Sequence, residues 1–128
     1  MSIQKIRRIP IVNVNGVGDN IIVAAIPQQT SPEGRVLQQG RKIRIMSAYI
    51  EADGAGDLTI SSGVAGARTA LTGPLTLAVA PAVGSNLTVP PPLDWELGAL
   101  ETKQGEDLNL FTSAAMSLDG WLVVAEVV

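Results

Sequence analysis

The chain has 128 residues and a net charge of −3, is 46% hydrophobic and 16% charged, and contains neither cysteine nor histidine. Without cysteine there is no disulfide framework, thiolate zinc site or cysteine nucleophile; without histidine the usual general base near neutral pH and the commonest imidazole ligand are missing. Ser-His-Asp, Cys-His and HExxH chemistries are thus excluded by inventory, while the apolar fraction suits one folded domain with a real core.

In chain order, short apolar runs alternate with turn signals, and no long 3.6-residue period appears. Residues 1–14 interleave Lys5, Arg7 and Arg8 with Ile3, Ile6, Ile9 and Ile11. This segment reads either as an extended N-terminal arm that binds a partner or as an edge strand over 8–15. Residues 15–128 read as a single β-sandwich. Its strands are expected near 20–26, 41–50, 57–62, 67–72, 75–80, 85–89, 96–102, 106–112 and 120–127, with 27–40 as the longest irregular stretch. In 57–61, Leu58 and Ile60 face one side, with Asp57, Thr59 and Ser61 opposite; in 107–110, Leu108 and Leu110 oppose Asp107 and Asn109. That period of two places one face on a core and the other toward solvent. Residues 43–50 and 121–128 are apolar on both faces, as expected of central strands or strands covered by a neighbouring subunit. Asn15-Gly16-Val17-Gly18-Asp19-Asn20 resembles a hairpin turn between the first two strands.

Charge is distributed unevenly along the chain. Residues 1–44 hold seven basic side chains against two acidic ones, a balance of +5; residues 45–128 hold two against ten, a balance of −8. A basic start on an acidic body marks a segment suited to an acidic surface. No run approaches the ~18 apolar residues of a membrane span, and no apolar h-region follows the basic N-terminus. The expectation is a soluble product made in a cytoplasm, without a secretory signal.

Candidate chemical motifs are few. Gly16-Val17-Gly18 lacks the third glycine and helix of a dinucleotide fingerprint, and no GxxxxGK[ST] loop exists. Asp53 and Asp57 flank glycines and could offer oxygens to calcium, but two acids make a poor site, so no metal and no cofactor are expected. Asp94 with Glu96, or Glu106 with Asp107, could only nominally serve as glycosidase carboxylates. The four aromatics, Tyr49, Trp95, Phe111 and Trp121, are not interleaved with basic residues as single-strand nucleic-acid binding requires. Trp121 reads as core, and Trp95, after Pro90-Pro91-Pro92, as an anchor for the returning chain. The expectation is a non-enzymatic protein whose contacts with a partner run through Lys5, Arg7, Arg8 and Ile9.

Arg41-Lys42-Ile43-Arg44-Ile45, the Asp57 to Ser61 strand and Leu71-Thr72-Gly73-Pro74-Leu75-Thr76-Leu77 form a recurring strand–turn rhythm. Gly105-Glu106-Asp107-Leu108-Asn109-Leu110 and Ser117-Leu118-Asp119-Gly120-Trp121-Leu122-Val123-Val124 continue it. Across residues 41–127 this pattern resembles the small jelly-roll decoration (cement) proteins on the heads of tailed bacteriophages. The resemblance implies a homotrimer on the outer capsid surface of a virion, clamping the major capsid protein lattice. Tail, neck and fibre modules that bind receptors or carbohydrates share similar rhythms and form the alternative class. The segment from Met1 to about Asn15 has no counterpart in the resemblance.

Overall fold

A computed structural model describes residues 3–14, 17–73, 75–77, 86–89 and 100–128 of the chain. Every regular element among them is a strand: β1 (Ile3–Val14), β2 (Ile21–Val23), β3 (Gln29–Thr30), β4 (Val36–Gln38), β5 (Lys42–Asp53) and β6 (Gly56–Ser62) come first. β7 (Thr69–Ala70), β8 (Leu75–Leu77), β9 (Asn86–Val89), β10 (Leu100–Glu101), β11 (Leu108–Thr112) and β12 (Ser117–Val127) follow. The fold is all-β, as the alternating runs imply.

The strands form two antiparallel five-stranded sheets and one small ribbon. The first sheet runs β1-β12-β5-β10, with β9 also on β5; the second runs β2-β11-β6-β7, with β8 also on β6; β3 and β4 pair alone. Chain neighbours tend to leave one sheet and enter the other: β1 to β2, β5 to β6, and β11 to β12 all cross the sandwich. β1 and β2 are therefore not paired as a hairpin: β1 pairs with β12, and Gly18 bridges Thr112 in the second sheet. The physical reason is burial. Ile11 on β1 and Val23 on β2 sit on opposite sides of one core, so the chain must pass from one layer to the other.

The inner faces supply a single main cluster. Ile43, Ile45, Ile50, Leu122 and Val124 from the first sheet meet Leu58, Ile60, Leu108 and Leu110 from the second, all essentially inaccessible. Each such side chain contributes roughly 1.5–3 kcal/mol relative to exposure. The face opposite these leucines is not simply solvated: Ser61 and Asn109, expected to point to water, are fully buried. Asn109 escapes the cost of burial by accepting from the Asn20 N–H (2.8 Å) and donating to Asp19 Oδ1 (2.7 Å) and the Gly63 carbonyl (3.1 Å).

β5 and β12 pair from Ser117 opposite Asp53 to Val127 opposite Lys42, with one irregularity. Val123 lies opposite Ser47, but Val124 lies opposite Ile45, so Met46 is an extra residue in a β-bulge. The bulge shifts the phase of β5: Ile43 and Ile45 point into the core before it, and Ala48, Ile50 and Ala52 after it. Met46 then joins Ala125 and Val127 in a second, smaller cluster on the other face. Residues 43–50 read as two-sided because burial does occur on both sides and because the parity changes within the strand.

Three expectations change. Residues 27–40 contain the exposed ribbon β3–β4, whose three-residue or shorter strands carry too little pattern to be seen. Trp121 is half-buried on the outer face of the first sheet, opposite Tyr49, and not in the core. The segment Ile3–Val14 is the edge strand of the two readings and no free arm, since Ile11 is buried and Ile9 packs on the core. Trp95, Asp94, Glu96 and the proline run lie outside the described residues.

Gly120 sits at φ +142° inside β12, where an added Cβ would overlap the Tyr49 carbonyl oxygen of β5. Gly120→Ala is expected to cost more than ~2 kcal/mol, because backbone and not a flexible side chain must yield. Gly34→Ala, also at positive φ (+85°) but with nothing within 4 Å, should lose clearly less. Thermal denaturation of both variants checks the difference. Deleting residues 1–8 should also lower the melting temperature, because it strips the register from Ile3–Val127 to Arg8–Val123 off β12.

Candidate functional site

Strand geometry divides the basic N-terminal cluster between two faces. Successive side chains of β1 alternate, so Arg7, Ile9 and Ile11 turn toward the sandwich interior while Ile6, Arg8, Pro10 and Val12 turn outward. Ile9 is half-buried and packs against the core. Arg7 Nε lies 3.1 Å from Glu126 Oε2, without the alignment of a hydrogen bond, and Arg41 donates to Glu126 Oε1 at 2.6 Å. Glu126 is 5% exposed at its side chain, so two guanidiniums neutralise one buried carboxylate at the joint of β1, β5 and β12. Lys5 is exposed, in register with the same glutamate. Of the four candidate residues, Arg8 alone is both outward-facing and charged.

A second ionic joint closes the opposite side of the sheet. Arg44, itself 1% exposed, donates Nε (2.9 Å) and Nη2 (2.6 Å) to Glu101 Oε2, and Lys42 Nζ lies 3.2 Å from Glu101 Oε1. Burial alone would raise the Glu101 pKa, but the hydrogen bonds from Arg44 and Lys42 outweigh it and hold the carboxyl below its ordinary value. The short strand β10 is riveted to β5 by this pair.

Arg8 stands over the Trp121 ring at 5.5 Å from its centroid. Together with Ser47 and Val123 these residues line a shallow groove of about 270 Å³ on the outer face of the first sheet. Sheet register explains their meeting: Arg8, Val123 and Ser47 occupy one cross-strand row, and Trp121 is the next outward residue on β12. The bulge after Ile45 is what turns Ser47 to this side. Ile6 and Val12, 55% and 71% exposed, extend the apolar surface along β1. The groove offers a cation, a hydroxyl and two apolar walls, which suits recognition and supplies no nucleophile–base pair.

The remaining polar constellation is on the outer face of the second sheet. Asp19 accepts from Arg68 Nε (2.9 Å), Asn109 Nδ2 (2.7 Å) and the Ala65 N–H (2.9 Å), and Arg68 stacks on Phe111 at 4.0 Å. It pins the 63–68 loop to β11. The Arg68 hydrogen bond, with those from Ala65 and Asn109, overcomes desolvation and lowers the Asp19 pKa from 3.8 to about 2. Asp57 accepts from the Thr76 hydroxyl at 2.8 Å, and Asp53 is exposed at the end of β5. Among the described residues no three metal-ligating side chains converge. No family model matches the chain, and no curated protein or solved structure is significantly similar to it.

Sequence reasoning missed Trp121, Ser47 and Val123 as companions of Arg8. The apolar composition of 121–128 pointed to core, and only the register brings β1, β12 and β5 together there.

Two outcomes follow from the ionic groups. Glu126→Gln leaves Arg7 and Arg41 facing each other and is expected to cost about 2 kcal/mol in chemical denaturation. That is less than the roughly 3–5 kcal/mol of a fully buried pair, because both guanidiniums can reach water. Asp19 has a depressed folded pKa, so its contribution is fully present above the unfolded value near 3.8 and is lost as pH falls through about 2. Urea midpoints of the wild type and Asp19→Asn should therefore differ at pH 5 and converge toward pH 2.

Proposed function

We propose that the protein is a structural virion subunit, a capsid decoration protein that binds the outer surface of a phage head as a homotrimer and stabilises the major capsid protein lattice. The observation that carries this reading is the outward side of the edge strand β1. A 12-residue strand ends its sheet with an edge that is unpaired among the described residues, and Ile6, Arg8 and Val12 are exposed on it. Long exposed edges invite pairing with another chain and are normally blunted; here Pro10 and Arg8 narrow the choice of partner without removing the apolar surface. The groove beside it can bind but carries no catalytic group, which supports a non-enzymatic role.

The strand order supports a jelly-roll winding. In each sheet the earliest strand lies beside the latest, β1 against β12 and β2 against β11, and the two sheets read in parallel order. Such rolls are rigid and low in loops, properties that suit a clamp under outward pressure.

A tail or fibre module that binds carbohydrate is the competing class. Its sugar platforms need exposed aromatic faces, whereas Trp121 is covered by Arg8 and Phe111 by Arg68. Imaging of purified virions carrying tagged protein decides between them: label over the head shell is the expected result, and label confined to tail or fibres would sink the decoration reading. Light scattering on the isolated protein should give three times the chain mass, and a monomer at micromolar concentration counts against the trimer.

A further inference from the structure

Arg8 makes no ion pair among the described residues, in contrast to Arg7, Arg41, Arg44 and Arg68, each of which contacts a carboxylate. Its planar guanidinium rests on Trp121 and has five N–H donors. Ser47 lines the same groove at 6% exposure, and among the described residues its hydroxyl makes no hydrogen bond. A cation and a nearly buried hydroxyl, set between the apolar sides of Trp121 and Val123, call for a carboxylate on a short apolar stem. An aspartate or glutamate side chain of another molecule has that form.

The same face supplies one. Glu51 on β5 lies directly opposite Asp119 on β12, and both are exposed. Like charges directly opposite across a ladder repel. The Glu51 carboxylate accepts from the neutral Tyr49 hydroxyl at 2.9 Å. Asp53 adds a third exposed carboxylate at the corner where β5 ends. Ser47 and Glu51 are four residues apart on one side of β5, about 13 Å along the strand. Each copy thus carries a basic groove and an acidic end on one sheet face, set apart so that one cannot satisfy the other within the same copy.

We propose that the acidic end of one copy, Glu51 with Asp119 and Asp53, docks on the Arg8–Trp121–Ser47 groove of a second copy. This rests on the reading of the protein as a self-assembling subunit and names the surface through which it assembles. The two patches are distinct, so the contact is heterologous, and repeated about a three-fold axis it closes a ring. The occupant is a copy of this chain because a groove and an end of opposite charge occur together on one face of every copy.

Charge exchange tests it by light scattering and sedimentation at micromolar concentration. Arg8→Glu and Glu51→Lys, each alone, should weaken self-association on the order of tenfold or more, lowering the mass toward one chain, and the double variant should restore it. Both positions are exposed, so melting temperatures should change little. Arg8→Gln, which keeps the strand and removes only the charge, serves if Arg8→Glu fails to fold. Raising salt to about 1 M should weaken wild-type association, because exposed pairs are screened.

Single variants that keep the wild-type mass would overturn the contact. So would singles that dissociate without rescue by the double variant, which would assign the groove to another protein. A wild-type dimer that obeys the charge exchange supports the contact and overturns the three-fold reading, since two copies face to face with reversed strands make the contact twice. A wild-type monomer overturns both.

Discussion

Pairing of β5 with β12 joins residues 42–53 to residues 117–127 and places the two most apolar strands at the centre of the first sheet. Both neighbours of this pair depend on it. Among the described residues β1 pairs with β12 alone, and β9 and β10 with β5 alone. The ladder closes tightly at Gly120, where the Tyr49 carbonyl leaves no room for a side chain. Contacts at such sequence separation carry a large loop-closure cost before they gain burial. The core of Ile45, Ile50, Leu122 and Val124 offsets that cost only once the register is found.

The bulge at Met46–Ser47 connects this ladder to the surface chemistry. Without the extra residue, strict alternation would keep residue parity constant along β5, and Ser47 would fall on the core side with Ile43 and Ile45. With it, Ala48 and Ile50 take the core positions and Ser47 lines the outer groove beside Trp121. One inserted residue thus serves packing and recognition at once, in keeping with the general use of bulges to re-aim side chains.

The charges follow a consistent division of labour. Five of the basic residues are spent on structure: Arg7 and Arg41 on Glu126, Lys42 and Arg44 on Glu101, and Arg68 on Asp19. These pairs join strands distant in sequence, and their carboxylates are at most 29% exposed, so they contribute more than mobile surface pairs do. The basic first third is therefore partly tied into the fold. Four of the seven basic residues in 1–44 meet Glu101 and Glu126 in this way, while Arg8 faces outward on β1.

Composition and period by themselves determined the fold class, the existence of ten of the twelve strands among the described residues and the exclusion of histidine and cysteine chemistry. Period-two alternation at Leu58–Ile60 and Leu108–Leu110, dense glycine and proline punctuation, and the β-branched run at 121–128 are local signals, and strand formation there is a local preference reinforced by burial. The ribbon β3–β4 falls in a run rich in proline, glutamine, serine and glycine that shows no period. The tertiary structure alone decided which strands are neighbours, that β1 and β2 belong to different sheets, that Asn109 is buried by Asp19 and Asn20, and that Arg7 and Arg8 part company. Isoleucines at 6, 9 and 11 look alike in sequence, and only pairing with β12 tells which of them meet the core. Register is a property of two strands together, so Arg8, Trp121 and Ser47, drawn from three strands, become a site only when the sheet has formed.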